Sequence, residues 1–235
     1  MQLDDIFDAL GSSELSQLSL GSETDMGVAR ESEVKLLPHI NLGLTALHKR
    51  FKLREGRIRV LRKPGREQYV LTAAHAMSAQ GVGSRDAYID DAERTFENDL
   101  LKIEQVLDPN GCPVPLNDEN MPGGLRTLSV NTLVMPATFA HPYVTVVYRA
   151  NHPQLKPTNA TAIRKMEIDL PFSHLEALLF FIASRVFNPM GASEGFHEGN
   201  NYASKYERAC LALENGGYQL ENQFEDHRFH RNGWC

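Results

Sequence analysis

The chain has 235 residues, 42% hydrophobic and 23% charged, which allows one large domain or two small ones with a sizeable core. Its net charge of −6 argues against a general nucleic-acid binder held by phosphate neutralisation. Cys112, Cys210 and Cys235 lie far apart with no C-x-x-C spacing, so they read as reduced thiols of an intracellular product and not as a disulfide framework or zinc site.

Met1–Leu10 carries Asp4, Asp5 and Asp8 and no long apolar run, unlike a signal peptide. The first segment, to Gly21, predicts two short helical pieces: one with Ile6 and Leu10 inward, one capped by Ser12 or Ser13 and carrying Leu15 and Leu18. Gly21–Arg30 is polar and reads as a loop. Over Glu33–Phe51, Leu37, Ile40, Leu44, Leu47 and Phe51 step by three and four, a helix with one apolar seam. Pro38 demands that this helix begin close to it or kink there. The basic run His48-Lys49-Arg50 suits the helix C-terminal dipole.

The period then changes. Arg57–Arg62 and Glu67–Leu71 alternate on either side of Lys63-Pro64-Gly65-Arg66, which predicts a β-hairpin. Thr72–Asp99 is weakly patterned and reads as a surface loop with room for a short helix. Leu100–Leu107 predicts a strand, Asp108-Pro109-Asn110-Gly111 a turn, and Cys112–Leu116 an edge strand, because proline removes ladder donors. Leu125–Val134 holds one or two strands. Tyr143–Tyr148 is the clearest strand, and Ile163–Leu170 reads as a last one.

The remaining chain is helical. Phe172, Leu175, Leu178, Leu179, Ile182, Ala183 and Val186 share one helix face, and Asn188-Pro189 and Gly191 stop that helix. The run Leu175–Val186 is broken by Glu176 and Arg185 and is too short to span a bilayer. A wetter helix follows from about Gly199 to Glu214, with Tyr202, Tyr206, Ala209 and Leu213 on one side, closed by Gly216-Gly217. The short connection predicts an antiparallel helical hairpin. The tail Tyr218–Cys235 has no period, yet it spaces Leu220, Phe224, Phe229 and the sole Trp234 through polar residues, which suits docking anchors. The expected fold class is α+β: an antiparallel helical bundle (1–56 and 171–217), an inserted antiparallel β domain (57–170) and an extended C-terminal arm (218–235).

Candidate chemistry is thin. Gly81-Val82-Gly83 lacks a third glycine and a preceding strand, so it is no phosphate cradle. His227 and His230 have spacing for two metal nitrogens but no nearby third ligand. Ser173, His174 and Glu176 sit too close along one helix to orient one another as a triad. His197-Glu198 lacks the second histidine of a zinc-hydrolase helix, and Asp90, Asp91 and Glu93 read as a solvated charge run. Asn159-Ala160-Thr161 is a glycosylation sequon in letters only. Tyr202 and Tyr206 read as packing residues. No cofactor and no enzymatic activity are expected.

Several strings in order carry a resemblance: ELSQLSLG near the start, LGLTALHKRFKLREGRIRV, DLLKIEQVLDPNG, VVYRANHP, EIDLPFSHLEALLFFIASRVFNPMG with YASKYERACLAL, and the ending FHRNGWC. Together they resemble the head-to-tail adaptor (connector) proteins of tailed bacteriophages, especially short-tailed ones. The resemblance spans most of the chain outside Thr72–Glu97 and a stretch after Gly123. It implies a structural virion protein, made in the host cytoplasm and placed in the neck of the particle. The protein would form a homo-oligomeric ring of twelve beneath the portal, joining portal to tail nozzle, with no membrane contact. DNA would pass through the ring's channel without specific binding, and an acidic balance would discourage it from sticking. The resemblance assigns bundle and ring packing to Leu37, Leu44, Leu47, Phe51, Leu175, Leu179, Ile182, Tyr202 and Tyr206. It assigns portal docking to the arm through Leu220, Phe224, Phe229, Trp234 and Cys235, and tail contacts to the β domain. Cys235 departs from the aliphatic last residue the family would have. A lower-neck or tail-completion protein that does not touch the portal is the alternative, and a small enzyme with a scattered site a more distant one.

Overall fold

The computed structural model describes residues 1–13, 28, 30–81, 83–118, 120–121, 124–156, 163–187 and 194–217, side chains at 30–31 and 194–196 excepted. The second short helix expected near Leu15, the sequon, the interhelical connection and the whole arm 218–235 lie outside the described residues. The chain is α+β, with antiparallel sheets of five and three strands. It divides into two compact units, 1–53 with 154–235, and 54–153. Residues 154–170, assigned to the β domain on sequence, therefore belong with the helices.

In the helical unit, α1 (Leu3–Ser12) buries Leu3, Ile6, Phe7 and Leu10 completely, the face their spacing defines. Its first turn is capped by Asp5, whose carboxylate accepts the Gln2 N–H at 2.8 Å. Helix α2 (Arg30–Arg50) starts earlier than expected and holds Pro38 well inside. Leu37, Ile40, Leu44, Leu47 and Phe51 form its buried seam. A 3-10 turn, Phe172–His174, precedes α4 (Leu175–Phe187), numbered after the short α3 of the β unit. That tighter turn takes Phe172 off the seam, and it is 73% exposed instead of buried. Leu178, Leu179, Ile182 and Ala183 are buried as the pattern requires, and Leu175 and Val186 are half-buried.

Helix α5 (Glu194–Asn215) begins before Gly199. Phe187 stacks on Tyr202 at 5.4 Å and Phe181 meets Tyr206 edge-on at 5.3 Å. Partners that descend along α4 while rising along α5 make the pair antiparallel. The Gly216 and Gly217 N–H groups close α5 by donating to Ala212 and Glu214 carbonyls. Gly43 lets α2 approach α4: a methyl there would lie 2.6 Å from Leu178 Cδ1.

The expected strand Ile163–Leu170 is absent. One helical turn begins at Ile163, and the rest is an extended strap joined to the first residues by a single antiparallel bridge, Gln2 with Glu167. Alternation holds over Met166–Leu170, with Glu167 and Asp169 exposed between half-buried Met166 and buried Ile168 and Leu170, but these residues, with Ile163, pack into the helical core. The strap also delivers Arg164. Its Nε donates to Glu33 Oε1 at 2.7 Å and its Nη1 to Asp4 Oδ1 at 2.9 Å, and Nη2 reaches the Val28 carbonyl. Glu33 is fully buried.

In the β unit, the order of the large sheet is β3 (Ile89–Asp90), β1 (Glu55–Leu61), β8 (Tyr143–Ala150), β4 (Leu100–Leu107), β5 (Pro113–Val114). The small sheet orders β2 (Gln68–Val70), β7 (Thr132–Val134), β6 (Arg126–Ser129). The β4–β5 hairpin matches expectation, with β5 at the edge, and Leu125–Val134 holds two strands, which pair as β6 and β7. The β1–β2 hairpin does not form: a turn is made at Lys63–Arg66, but the two strands join different sheets. Strand β8 pairs with β1 along its whole length, Glu55 to Leu61, a longer ladder than three-residue β2 offers. Opposite Tyr148 in this pairing sits Gly56, and the Tyr148 ring lies across it, so any β-carbon there would collide with the ring.

Thr72–Asp99 is no mere surface loop. It carries a 3-10 turn (Ala73–His75), α3 (Met77–Gln80) and β3, and it buries Ala76, Tyr88, Ile89 and Phe96 in the core. Asp91 is buried, accepting from Ser78 N–H at 3.0 Å, the Ser78 hydroxyl at 2.5 Å and Phe96 N–H at 3.1 Å. Burial opposes its charge, but these donors outweigh that and hold its pKa below the ordinary carboxylate value.

Replacing Arg164 by Met leaves Glu33 buried without its cation, and urea denaturation is expected to show a loss of about 3–5 kcal/mol. Gly56→Ala drives the Tyr148 ring from its seat, with an expected loss of about 1–3 kcal/mol and a weakened near-ultraviolet circular dichroism signal.

Candidate interaction surfaces

The residues assigned to bundle and ring packing lie within one helical unit. Leu37, Leu44, Leu47, Phe51, Leu179 and Ile182 are buried against one another in its core, and Leu175, Tyr202 and Tyr206 pack half-buried at its margin. Their packing is intramolecular, and other apolar side chains of the unit point outward. On α2 these are Val34, Pro38 and Leu42, exposed at four-residue spacing, on α5 Leu211, and in the turn before α4 Phe172. The anchors Leu220, Phe224, Phe229, Trp234 and Cys235 lie outside the described residues.

The margin of the unit is polar and tied. Arg50 donates from Nε to Glu214 Oε1 and from Nη1 to Glu207 Oε2, both at 2.6 Å. The Glu214 bond, against the cost of burial, raises the Arg50 pKa, and Glu207 adds to it. The basic run at the end of α2 is thus divided: Arg50 clamps α5, His48 is buried with Nδ1 2.8 Å from the Leu44 carbonyl, and Lys49 faces out. Lys205 lies 4.5 Å over the Tyr202 ring.

In the β unit, the β6–β7 turn exposes Leu128 and Val130. One face of the large sheet carries paired charges: Arg59, half-exposed, with Asp90 at 3.3 Å, and Arg149, buried, with Glu104 at 2.8 Å. A depression of about 430 Å³ is lined there by Arg57, Arg59, Asp90, Glu93 and Arg94. A second, of about 490 Å³, is lined by Arg62, Lys63, Gly65, Arg66, Glu67 and Gln68.

The residue types considered for chemistry do not assemble. The Ser173 hydroxyl meets His174 Nδ1 at 3.1 Å, but Glu176 is exposed, and the buried Nε2 of His174 has no hydrogen-bond partner among the described residues. Asp90 and Asp91 are used by Arg59 and by Ser78 and Phe96. His197 and Glu198 are exposed on α5, and Gly81 and Gly83 follow α3. Among the described residues no three His, Cys, Asp or Glu side chains gather at metal-binding distance, and no helix is long and apolar enough to cross a membrane.

Comparison with known proteins decides nothing further. No protein family and no curated protein matches this chain.

His174 is 1% exposed, with its ring edge-on to Phe51 at 4.8 Å. Burial lowers its pKa below 6.5. The unfolded chain therefore takes up this proton first as pH falls. The stability contributed by the neutral ring is fully present above 6.5 and is lost as pH falls through the folded value. His39 is lowered in the same sense by burial and by Arg185. Melting temperature is expected to drop between pH 7 and pH 5, and His174→Phe to reduce that slope.

Proposed function

We propose that this chain is a head-to-tail adaptor of a short-tailed bacteriophage, a structural protein that assembles as a ring beneath the portal and leads to the tail nozzle. The observation that carries the reading is the series of strings in order, ending in FHRNGWC. The division of the chain supports it: a helical unit made from both flanks, interrupted by a β unit at 54–153. One unit is then free to serve as ring body and the other to project toward tail components. The outward apolar residues Val34, Leu42 and Leu211 suit contacts between neighbouring copies. The arm 218–235, through Phe224, Phe229 and Trp234, is the portal-docking element. Twelve modest arms engaging a preformed ring act at high effective concentration, so none needs high affinity alone.

The test mixes purified chain with portal rings and images the product by electron microscopy. A second ring stacked on the portal is expected, and deleting 218–235 is expected to abolish it while the melting transition persists. Binding to tail nozzle but not to portal would replace this reading with a lower-neck protein. A truncated chain that still stacks would remove the arm from the mechanism.

A further inference from the structure

The β1–β2 connection presents Arg62, Lys63 and Arg66 within five residues, all lining the depression of about 490 Å³. The turn is held from inside. Fully buried Tyr69 accepts the Lys63 N–H at 2.8 Å and donates to the Arg66 carbonyl at 3.0 Å. Gly65, at φ 75°, supplies the left-handed residue the turn requires, and Arg66 N–H returns to the Lys63 carbonyl at 3.2 Å. The Arg66 guanidinium lies 4.9 Å over the Tyr88 ring, itself edge-on to Tyr69.

The cations are weakly matched. Arg62 donates to the Ala137 carbonyl and Lys63 Nζ to the Ser84 carbonyl, and among the described residues neither forms an ion pair. Arg66 pairs with Asp86, but that carboxylate is 63% exposed and the pair is correspondingly weak. The one carboxylate lining the depression, Glu67, accepts the Ala137 N–H at 3.2 Å. Arg57 and Arg59 on the neighbouring strand, by contrast, have Glu55 and Asp90.

We infer that the Arg62–Arg66 turn is a contact site for the phosphodiester backbone of nucleic acid, read by charge and not by sequence. Three cations on one rigid turn suit a ligand of high linear charge density, and duplex DNA carries about one charge per 1.7 Å of helix axis. An extended peptide with a carboxylate at every residue reaches only about one charge per 3.4 Å of its length. Among the described residues no aromatic side chain that could stack a base lines the depression, so the contact positions the backbone without specifying sequence. The acidic balance of the whole chain makes the contact weak and transient. The inference does not rest on the adaptor reading, because a monomer would show it.

The test uses the full chain and a fluorescently labelled 20-base-pair duplex, followed by anisotropy between 50 and 200 mM salt. Three neutralised phosphates predict a log–log salt slope of about −2.7 and about a forty-fold loss of affinity over that range. The triple variant Arg62→Gln, Lys63→Gln, Arg66→Gln is expected to abolish salt-dependent binding with an unchanged far-ultraviolet spectrum. A control with the same change in net charge elsewhere, Lys102→Gln, Arg126→Gln, Lys165→Gln, is expected to retain it. Absence of binding at 50 mM salt, equal losses in the two triple variants, or polyglutamate binding as tightly as duplex would each overturn the inference.

Discussion

The helical unit depends on one buried carboxylate. Glu33 is placed in the core by α2, and a charge there is tolerable only if a cation reaches it. Arg164 does so from a segment more than a hundred residues later, and the same guanidinium binds Asp4 of α1. Three pieces distant in the chain are thereby fixed: the N-terminal helix, the start of α2 and the strap that leads back from the β unit. The strap is not a sheet strand: its apolar residues pack between helices, and among the described residues its one ladder pairing is the bridge at Gln2.

The β unit has its own organising element. Strand β8 is buried over most of its length and supplies ladder partners on both sides, so β1 and β4 are drawn to it. The chain leaving β1 must then cross to a second sheet, and that crossing is the Lys63–Arg66 turn. Tyr69 and Tyr88 make the turn rigid from below, the first by hydrogen bonds to its backbone and the second by its ring under Arg66. Core packing thereby holds the turn backbone and Arg66 in place.

These arrangements separate stability from interaction. The residues with the strongest apolar period, from Leu37 to Ile182, are consumed inside the helical unit. Among the described residues what remains outward is scattered: Val34, Leu42, Phe172 and Leu211 in the helical unit, Val70, Met121, Leu128 and Val130 in the β unit. An assembly protein whose subunits must stay soluble before joining a ring needs this distribution, since a continuous apolar face would associate too early. The adaptor reading draws on this pattern together with the order of the sequence strings.

The sequence by itself determined the elements with strong local period. The faces of α1, α2 and α4, the strand Tyr143–Tyr148, the Asp108–Gly111 turn and the α4–α5 hairpin were all legible, because a helix or strand face repeats every few residues. Phe172 misled because a single 3-10 turn breaks that period without changing composition. The tertiary structure alone decided which strands pair, because pairing energy depends on partners far away in the chain. It placed Leu61 and Val70 in different sheets, made Thr72–Asp99 part of the core through Tyr88, and converted Asp91 from a surface charge into a buried acceptor. It also brought Arg164 to Glu33, and Tyr69 beneath the basic turn. Such contacts leave no periodic signal, since neither an ion pair across more than a hundred residues nor a tyrosine hydroxyl bonded to the turn before it repeats along the chain.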